Sequence, residues 1–302
     1  VQQSLPFKLV LDVAYVGNHG VDSVVNYNLN AATVAGGGAA SQPEYGFGNR
    51  TATTNFLFAG YSSSYNALQV KLDRRFAGGF SLTTAYTYGK GMAFQTGDDG
   101  GLYFYVNPQR GYARNDYDRT HTFVQSYVYD LPFGPGKKFL NSGIVANTLG
   151  GWRVTGILTL MTGTPFNVTG GSALNTPGSS QTADQVAPVQ ILNGIGPGNP
   201  WFSPTSFVPE TQTGVFGNVG RNAMSGPGFF DLDTSLVKLI HIKERYSLEI
   251  RGEFFGVTNT PQFNNPSAST SNYSPDPAKN TFGVISGAGG GRTAQLGVKV
   301  NF

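Results

Sequence analysis

The chain has 302 residues, with 20 Lys+Arg against 17 Asp+Glu and a formal net charge of +3. That balance is too small and too scattered to make a nucleic-acid footprint, so no nucleic-acid partner is expected. The absence of cysteine excludes disulfides, thiolate metal sites and cysteine catalysis, and no apolar run is long enough for a transmembrane helix. Behind Val1 there is no basic run followed by an apolar stretch, so a mature or truncated chain is expected to begin there.

Glycine fills 42 positions, about twice ordinary usage, and only 12% of residues are charged. Such a composition fits a disordered low-complexity chain, a secreted β-sandwich or an outer-membrane β-barrel. The period of the apolar residues separates them. Leu9, Leu11, Val13 and Tyr15 share one face of Phe7–Val16, opposite Lys8, Asp12 and Ala14. Next, Leu68, Val70 and Leu72 oppose Gln69, Lys71 and Asp73. The Ala77-Gly78-Gly79 turn leads into Phe80, Leu82, Thr84, Tyr86 and Tyr88, opposite Ser81, Thr83, Ala85 and Thr87. This is the strongest hairpin, because glycine supplies the positive φ of a tight turn.

A fourth strand is predicted over 122–131, its facing left open by Val124 and Val128. Trp152, Val154, Leu158 and Leu160 then face away from Arg153, Thr155 and Thr159. Phe230, Leu232 and Leu236 oppose Asp231, Asp233 and Ser235. Tyr246, Leu248, Ile250 and Phe254 oppose Ser247, Glu249, Arg251 and Glu253. Last, Ala294, Leu296, Val298, Val300 and Phe302 alternate with Thr293, Gln295, Gly297, Lys299 and Asn301. A spacing of two belongs to strands, not helices.

Between these eight strands, residues 17–63, 89–118, 169–227 and 260–281 are long and rich in Gly, Asn, Ser, Thr and Pro. Residues 77–79, 133–150 and 241–245 are shorter. Structureless loops of such length count against a compact soluble domain, whereas an outer-membrane barrel has long extracellular loops and short periplasmic turns. Both termini then lie in the periplasm. Only helices and closed barrels satisfy every backbone group in hydrocarbon. Tyr15, Tyr88, Tyr129, Trp152 and Tyr246 suit its interfacial aromatic girdles. The expected fold is therefore an all-β, antiparallel transmembrane β-barrel in an outer membrane. A soluble cell-surface sandwich used for adhesion is the alternative.

Several motifs carry a family resemblance. Residues Gly217-Asn218-Val219-Gly220-Arg221-Asn222 and Gly226-Pro227-Gly228-Phe229-Phe230-Asp231-Leu232-Asp233 resemble the late-barrel signature of TonB-dependent outer-membrane receptors, within them the Oar-like group. Val13–Asn18, Tyr65–Val70, Leu131–Gly134, Leu149–Trp152, Gly163–Phe166 and Arg251–Phe255 with Asn259 match in the same order. The resemblance implies uptake of a bulky nutrient, a barrel of about 22 strands enclosing a plug, and an energy-coupling partner, TonB. It also implies a terminal strand ending in Phe302 that serves as the signal for the barrel-assembly machinery. Residues 1–302 are accordingly expected to form the C-terminal portion of such a barrel. The plug and the N-terminal regulatory-like domain are expected to lie outside these residues, and TonB to be met through that missing part. Eight strands closed on themselves would leave room only for side chains.

Candidate site residues follow. Asp231, Asp233, Glu249, Arg251 and Glu253 face inward on strands six and seven, as a lumen wall or a hydrated structural ion-pair ladder. A hairpin centred near Ile242 would set Asp233 opposite Arg251 and Asp231 opposite Glu253. In the loops, Tyr103, Tyr105 and Tyr112, with Trp201 and Phe202, are candidate contacts for an unknown ligand, or packing for the loops themselves. Asp98, Asp99, Asn115, Asp116 and Asp118 lack the spacing of a calcium loop. His19, His121 and His241 lack the spacing of a zinc site. No metal, cofactor or covalent chemistry is expected, although a small rim hydrolase built on His121 is a further alternative.

Overall fold

The computed structural model describes residues 1–97, 100–171, 173–243 and 246–302. Nine strands form one antiparallel meander: β1 (Gln2–Leu5), β2 (Leu9–Asn28), β3 (Asn55–Ala77), β4 (Phe80–Ala93), β5 (His121–Asp130), β6 (Trp152–Met161), β7 (Phe229–Lys243), β8 (Tyr246–Phe255) and β9 (Thr293–Asn301). The pair Ala113–Arg114 adds a short tenth strand alongside β4. All eight strands read from the sequence are present, preceded by the short β1. The sheet is open. Its edges are β1 and β9, which do not pair with each other, so the closed eight-strand alternative is not realised.

Registered partners in a sheet project to the same side, which lets the facing be followed from strand to strand. Val13 pairs with Val70, Val70 with Tyr86, Tyr86 with Phe123, Phe123 with Leu160 and Leu160 with Phe230. Lower down, Leu236 pairs with Gly252 and Gly252 with Leu296. The alternating apolar rows of the eight long strands thus fall on a single face, while Ile157, Val237 and Leu239 project to the other. The facing of β5 is settled as well: Phe123, Tyr127 and Tyr129 join the apolar side, and Val124 and Val128 the other.

Among the described residues no second sheet covers that apolar face. Tyr15 is 73% exposed, and Leu68, Tyr88, Leu236, Ile250 and Leu296 are exposed with it. This is the opposite of a sandwich, in which two apolar faces would meet. The buried core lies instead in the loops: Phe166, Val168, Phe202, Phe207, Met224 and Phe282 form one cluster and Val25, Phe94 and Leu102 another.

The links alternate as anticipated, with altered bounds. Residues 29–54, 94–120, 162–228 and 256–292 join strands at one end, here called the loop end. At the other, the turn end, β3 passes to β4 through Gly78 (φ +61°) and Gly79 (φ +82°). β2 and β3 run for 20 and 23 residues, about twice the 9–11 that cross a bilayer. The sequence reading ended β2 at Val16 because Gly17-Asn18-His19-Gly20 breaks the apolar alternation. The backbone ladder nevertheless continues, with register shifts between Gly20 and Val24. Link 131–151 holds a seven-residue helix, α1 (Gly143–Leu149).

The aromatic residues sort into two levels. Tyr15 and Tyr88 lie on the row that continues to His121 and, through the backbone bond from Thr162 N to His121 O, to Thr162. Trp152 stands ten residues earlier on the same run of chain. At about 3.3 Å per residue and a tilt of roughly 40°, that is about 25 Å of height, the span of a barrel's apolar band.

Candidate functional site

The face opposite the apolar one carries the charge. Arg251 lies between two carboxylates of its own strand, with Nη2 2.6 Å from Glu249 Oε1 and Nη1 3.3 Å from Glu253 Oε1. Alternation requires this: residues two apart on a strand share a face. Glu253 also accepts a hydrogen bond from the Gln295 amide on β9. Arg153 Nε bonds Asp130 Oδ1 at 2.6 Å, and Lys71 pairs with Asp73 at 2.6 Å. Thr155 and Ser235 hydroxyls meet at 3.1 Å. Asp233, Glu249, Arg251 and Glu253 line a recess of about 450 Å³ together with Arg153, Thr155 and Ser235.

Four of the five anticipated wall residues therefore line one recess, but the anticipated cross-strand pairs do not form. Arg251 faces Val237 and Glu253 faces Ser235, while Asp233 faces Ile157 and Asp231 faces Thr159 on β6. The reason is the position of the reversal. β7 runs past Ile242 to Lys243, which pairs with Tyr246, with a register shift after His241. Each β8 residue consequently meets a β7 residue four positions later than a turn at Ile242 would give. The shift is even, so all five residues keep the anticipated face. Asp233 instead accepts the Gly256 amide at 2.8 Å.

At the loop end three arginines join the links. Arg221 Nη1 donates to the carbonyls of Phe94 (2.7 Å) and Gln95 (2.6 Å), and Nη2 to Arg114 O at 3.0 Å. Arg114 Nη2 reaches the Asn222 carbonyl at 3.0 Å. Arg110 donates to the carbonyls of Gly217 and Val219 and lies over the Phe104 and Phe216 rings. Burial lowers the pKa of Arg110 and Arg221 below the ordinary guanidinium value and pushes the Tyr103 phenol up to about 12. Sequence reading found Arg221 only as part of a motif. Nothing in its spacing announced that it would bind carbonyls 127 and 126 residues away.

The loop aromatics divide by burial. Phe202 and Tyr103 are buried, the first at the centre of the larger cluster. Trp201 packs against that cluster and donates from Nε1 to Ser225 O at 3.3 Å. The Tyr105 hydroxyl accepts the Asn28 amide at 3.1 Å. Tyr112 is exposed, its hydroxyl 2.8 Å from Ser64 Oγ. Asp118 Oδ1 accepts the Gly91 amide, and Asp116 accepts the Gly97 amide and the Asn222 side chain. These carboxylates fix the backbone, and among the described residues none clusters as a metal site. Asp98 and Asp99, and the His241 side chain, lie outside the described residues. His121 stands on the apolar face beside Tyr88, with Nδ1 2.8 Å from Tyr86 Oη.

One antiparallel wall, apolar and bare on one side, polar and charged on the other, defines an outer-membrane β-barrel protein. The family model described as an outer membrane beta barrel domain matches residues 1–295, and the chain belongs to that family. Its place is the outer membrane. In structure it is similar to the outer membrane transporter YddB from Escherichia coli, with TM-score 0.50 and 9% identity, over 99% of this chain and 31% of that one. FpvA of P. aeruginosa, solved in complex with heterologous pyoverdines, gives TM-score 0.45 and 10% identity over 97% and 25%. The chain thus spans a quarter to a third of the solved structures it matches. At these identities the likeness concerns the fold. No curated protein matches the chain.

Proposed function

We propose that this chain forms part of the wall of a TonB-dependent transporter of the Oar-like kind, with its apolar face against lipid and its charged face toward an enclosed interior. The observation that carries the reading is the open sheet. In hydrocarbon each unpaired backbone group costs several kcal/mol, so the outer edges of β1 and β9 require further strands. Continuing the wall toward about 22 strands would turn the Asp233–Glu249–Arg251–Glu253 recess, with Asp231 above it, toward a plug or a passing polar solute.

On this reading the loop end is extracellular, and Tyr112 is the best exposed of the five aromatics for contact with a ligand. TonB would act through a segment N-terminal to the wall, and the assembly machinery would read the strand ending in Phe302. Transport rather than catalysis is supported by His121, the histidine a rim hydrolase would use, which faces two tyrosines on the apolar side.

The test is uptake of labelled bulky solutes, ferric chelates and oligosaccharides among them, by cells carrying the full gene. Uptake that vanishes when the energy-coupling protein is deleted supports the proposal. Uptake indifferent to that deletion overturns it.

A further inference from the structure

Lys238 is out of place. Its register sets it on the apolar face, opposite Trp152 on β6 and Ile250 on β8. A charged side chain at a lipid boundary is costly unless it reaches polar partners, and Lys238 is only 7% exposed. Its Nζ donates to the Thr148 carbonyl at 2.9 Å and to the Gly150 carbonyl, and lies 5.4 Å over the Trp152 ring. Thr148 and Gly150 close the C-terminal end of α1, where carbonyls lack partners within the helix and the helix dipole favours a cation. Lys238 therefore fastens α1 to the apolar edge of the wall at its turn end.

Three described residues of α1 are exposed beyond Gly143: Ile144, Thr148 and Leu149. Ala146 is buried, and the link folds tightly behind it: a Cβ on Gly134 would come within 2.5 Å of Gly150 Cα. Ile144 is 83% exposed and Leu149 51%. Phe139 and Leu140, just before the helix, are exposed too, as are Ile242 and Tyr246 at the same end of the wall. Ile242 and Tyr246 belong by alternation to the apolar face, whereas Phe133, Lys137 and Ala146 line a recess with Asp130, Arg153 and Glu249 of the other face. Link 131–151 contains two lysines and no carboxylate. Lys137 pairs with Asp130 at 3.5 Å, and Lys138 lies over the Phe139 ring. A short helix with Ile144 and Leu149 exposed, a basic link and a lysine clamp from the apolar face of the wall share the features of an interfacial anchor.

We propose that link 131–151 is such an anchor: α1 lies in the phospholipid surface at the turn end, with Ile144 and Leu149 inserted below the headgroups and Lys238 holding the helix to the wall. The proposal rests on the reading that the apolar face meets lipid.

The chain has no cysteine, so with any cysteine elsewhere in the full protein replaced by serine, one engineered cysteine carries one fluorophore. The full protein is reconstituted in vesicles of phosphatidylethanolamine and phosphatidylglycerol containing a nitroxide-labelled lipid. Labels are placed through Ile144→Cys, Leu158→Cys on the apolar face, and Lys279→Cys in the loops. The expected result is a blue-shifted, lipid-quenched signal at Ile144, as at Leu158, and neither effect at Lys279. Leu149→Cys reports the same depth should Ile144→Cys fail to fold. Quenching at Leu158 with water-like signals at positions 144 and 149 overturns the anchor alone, whereas no quenching at Leu158 overturns the lipid reading beneath it. Lys238→Met lowers the quenching at Ile144, and unchanged quenching overturns the clamp.

Discussion

Arg221 Nη1 donates to the Phe94 carbonyl at 2.7 Å, so two links separated by 127 residues share one buried guanidinium. Arg221→Met leaves the carbonyls of Phe94, Gln95 and Arg114 without this donor. Hydrogen bonds to charged groups contribute about 1.5–3 kcal/mol each, and not additively. The local stability of the loop end falls by about 2–4 kcal/mol. Limited proteolysis of the intact protein detects this as new cuts within 94–120 and 162–228, the strands remaining protected.

Neighbouring residues on β6 differ by face alone. Leu158→Arg places a charge on the apolar side, where mid-bilayer Arg costs roughly 2–4 kcal/mol. Thr159→Arg places the same charge beside Asp231 on the polar side and shifts stability by less than about 1 kcal/mol. Urea titration of the protein refolded into lipid vesicles measures both, and equal losses contradict the facing derived from the register.

Arg251→Gln removes the cation between Glu249 and Glu253. The pair is partly exposed, with side-chain accessibilities of 46%, 20% and 25% for Arg251, Glu249 and Glu253, so its loss costs about 1 kcal/mol or less and assembly proceeds. Uptake falls if the recess contacts plug or solute. Unchanged uptake together with unchanged folding removes both roles.

Glu210 gives the loop end a pH dependence. Its carboxylate accepts the amides of Gln212 at 2.6 Å and Thr211 at 2.7 Å. The first of these is the main reason its pKa lies below the ordinary 4.5. A lowered carboxylate pKa contributes stability that is full above the ordinary value and is lost as pH falls through the lowered one. The protection of amides 211 and 212 against hydrogen exchange, relative to the intrinsic rate at each pH, therefore falls below about pH 4.5, and Glu210→Gln abolishes the pH step.

The strands were legible because one physical constraint, a wet side and a greasy side, writes period two into them. Ala294 to Phe302 display it without interruption. Where the constraint weakens, legibility fails. β2 continues beyond Val16 through Gly17 and Gly20, whose pairing is backbone only. The β7–β8 reversal was misplaced because Ile242 and Lys243 fit a strand as well as a turn, and registry depends on that choice. The loop core was hidden for another reason. Phe202 and Phe207 of link 162–228 meet Phe282 of link 256–292, and no period connects them. Lys238 is likewise unreadable in isolation, since its partners are carbonyls, which every residue possesses.

The interlocked loop end has a consequence for biogenesis. If the loop end is extracellular, as proposed, the links that share its buried phenylalanines and guanidinium-bound carbonyls reach one another only on the far side of the membrane, and their collapse there opposes a return.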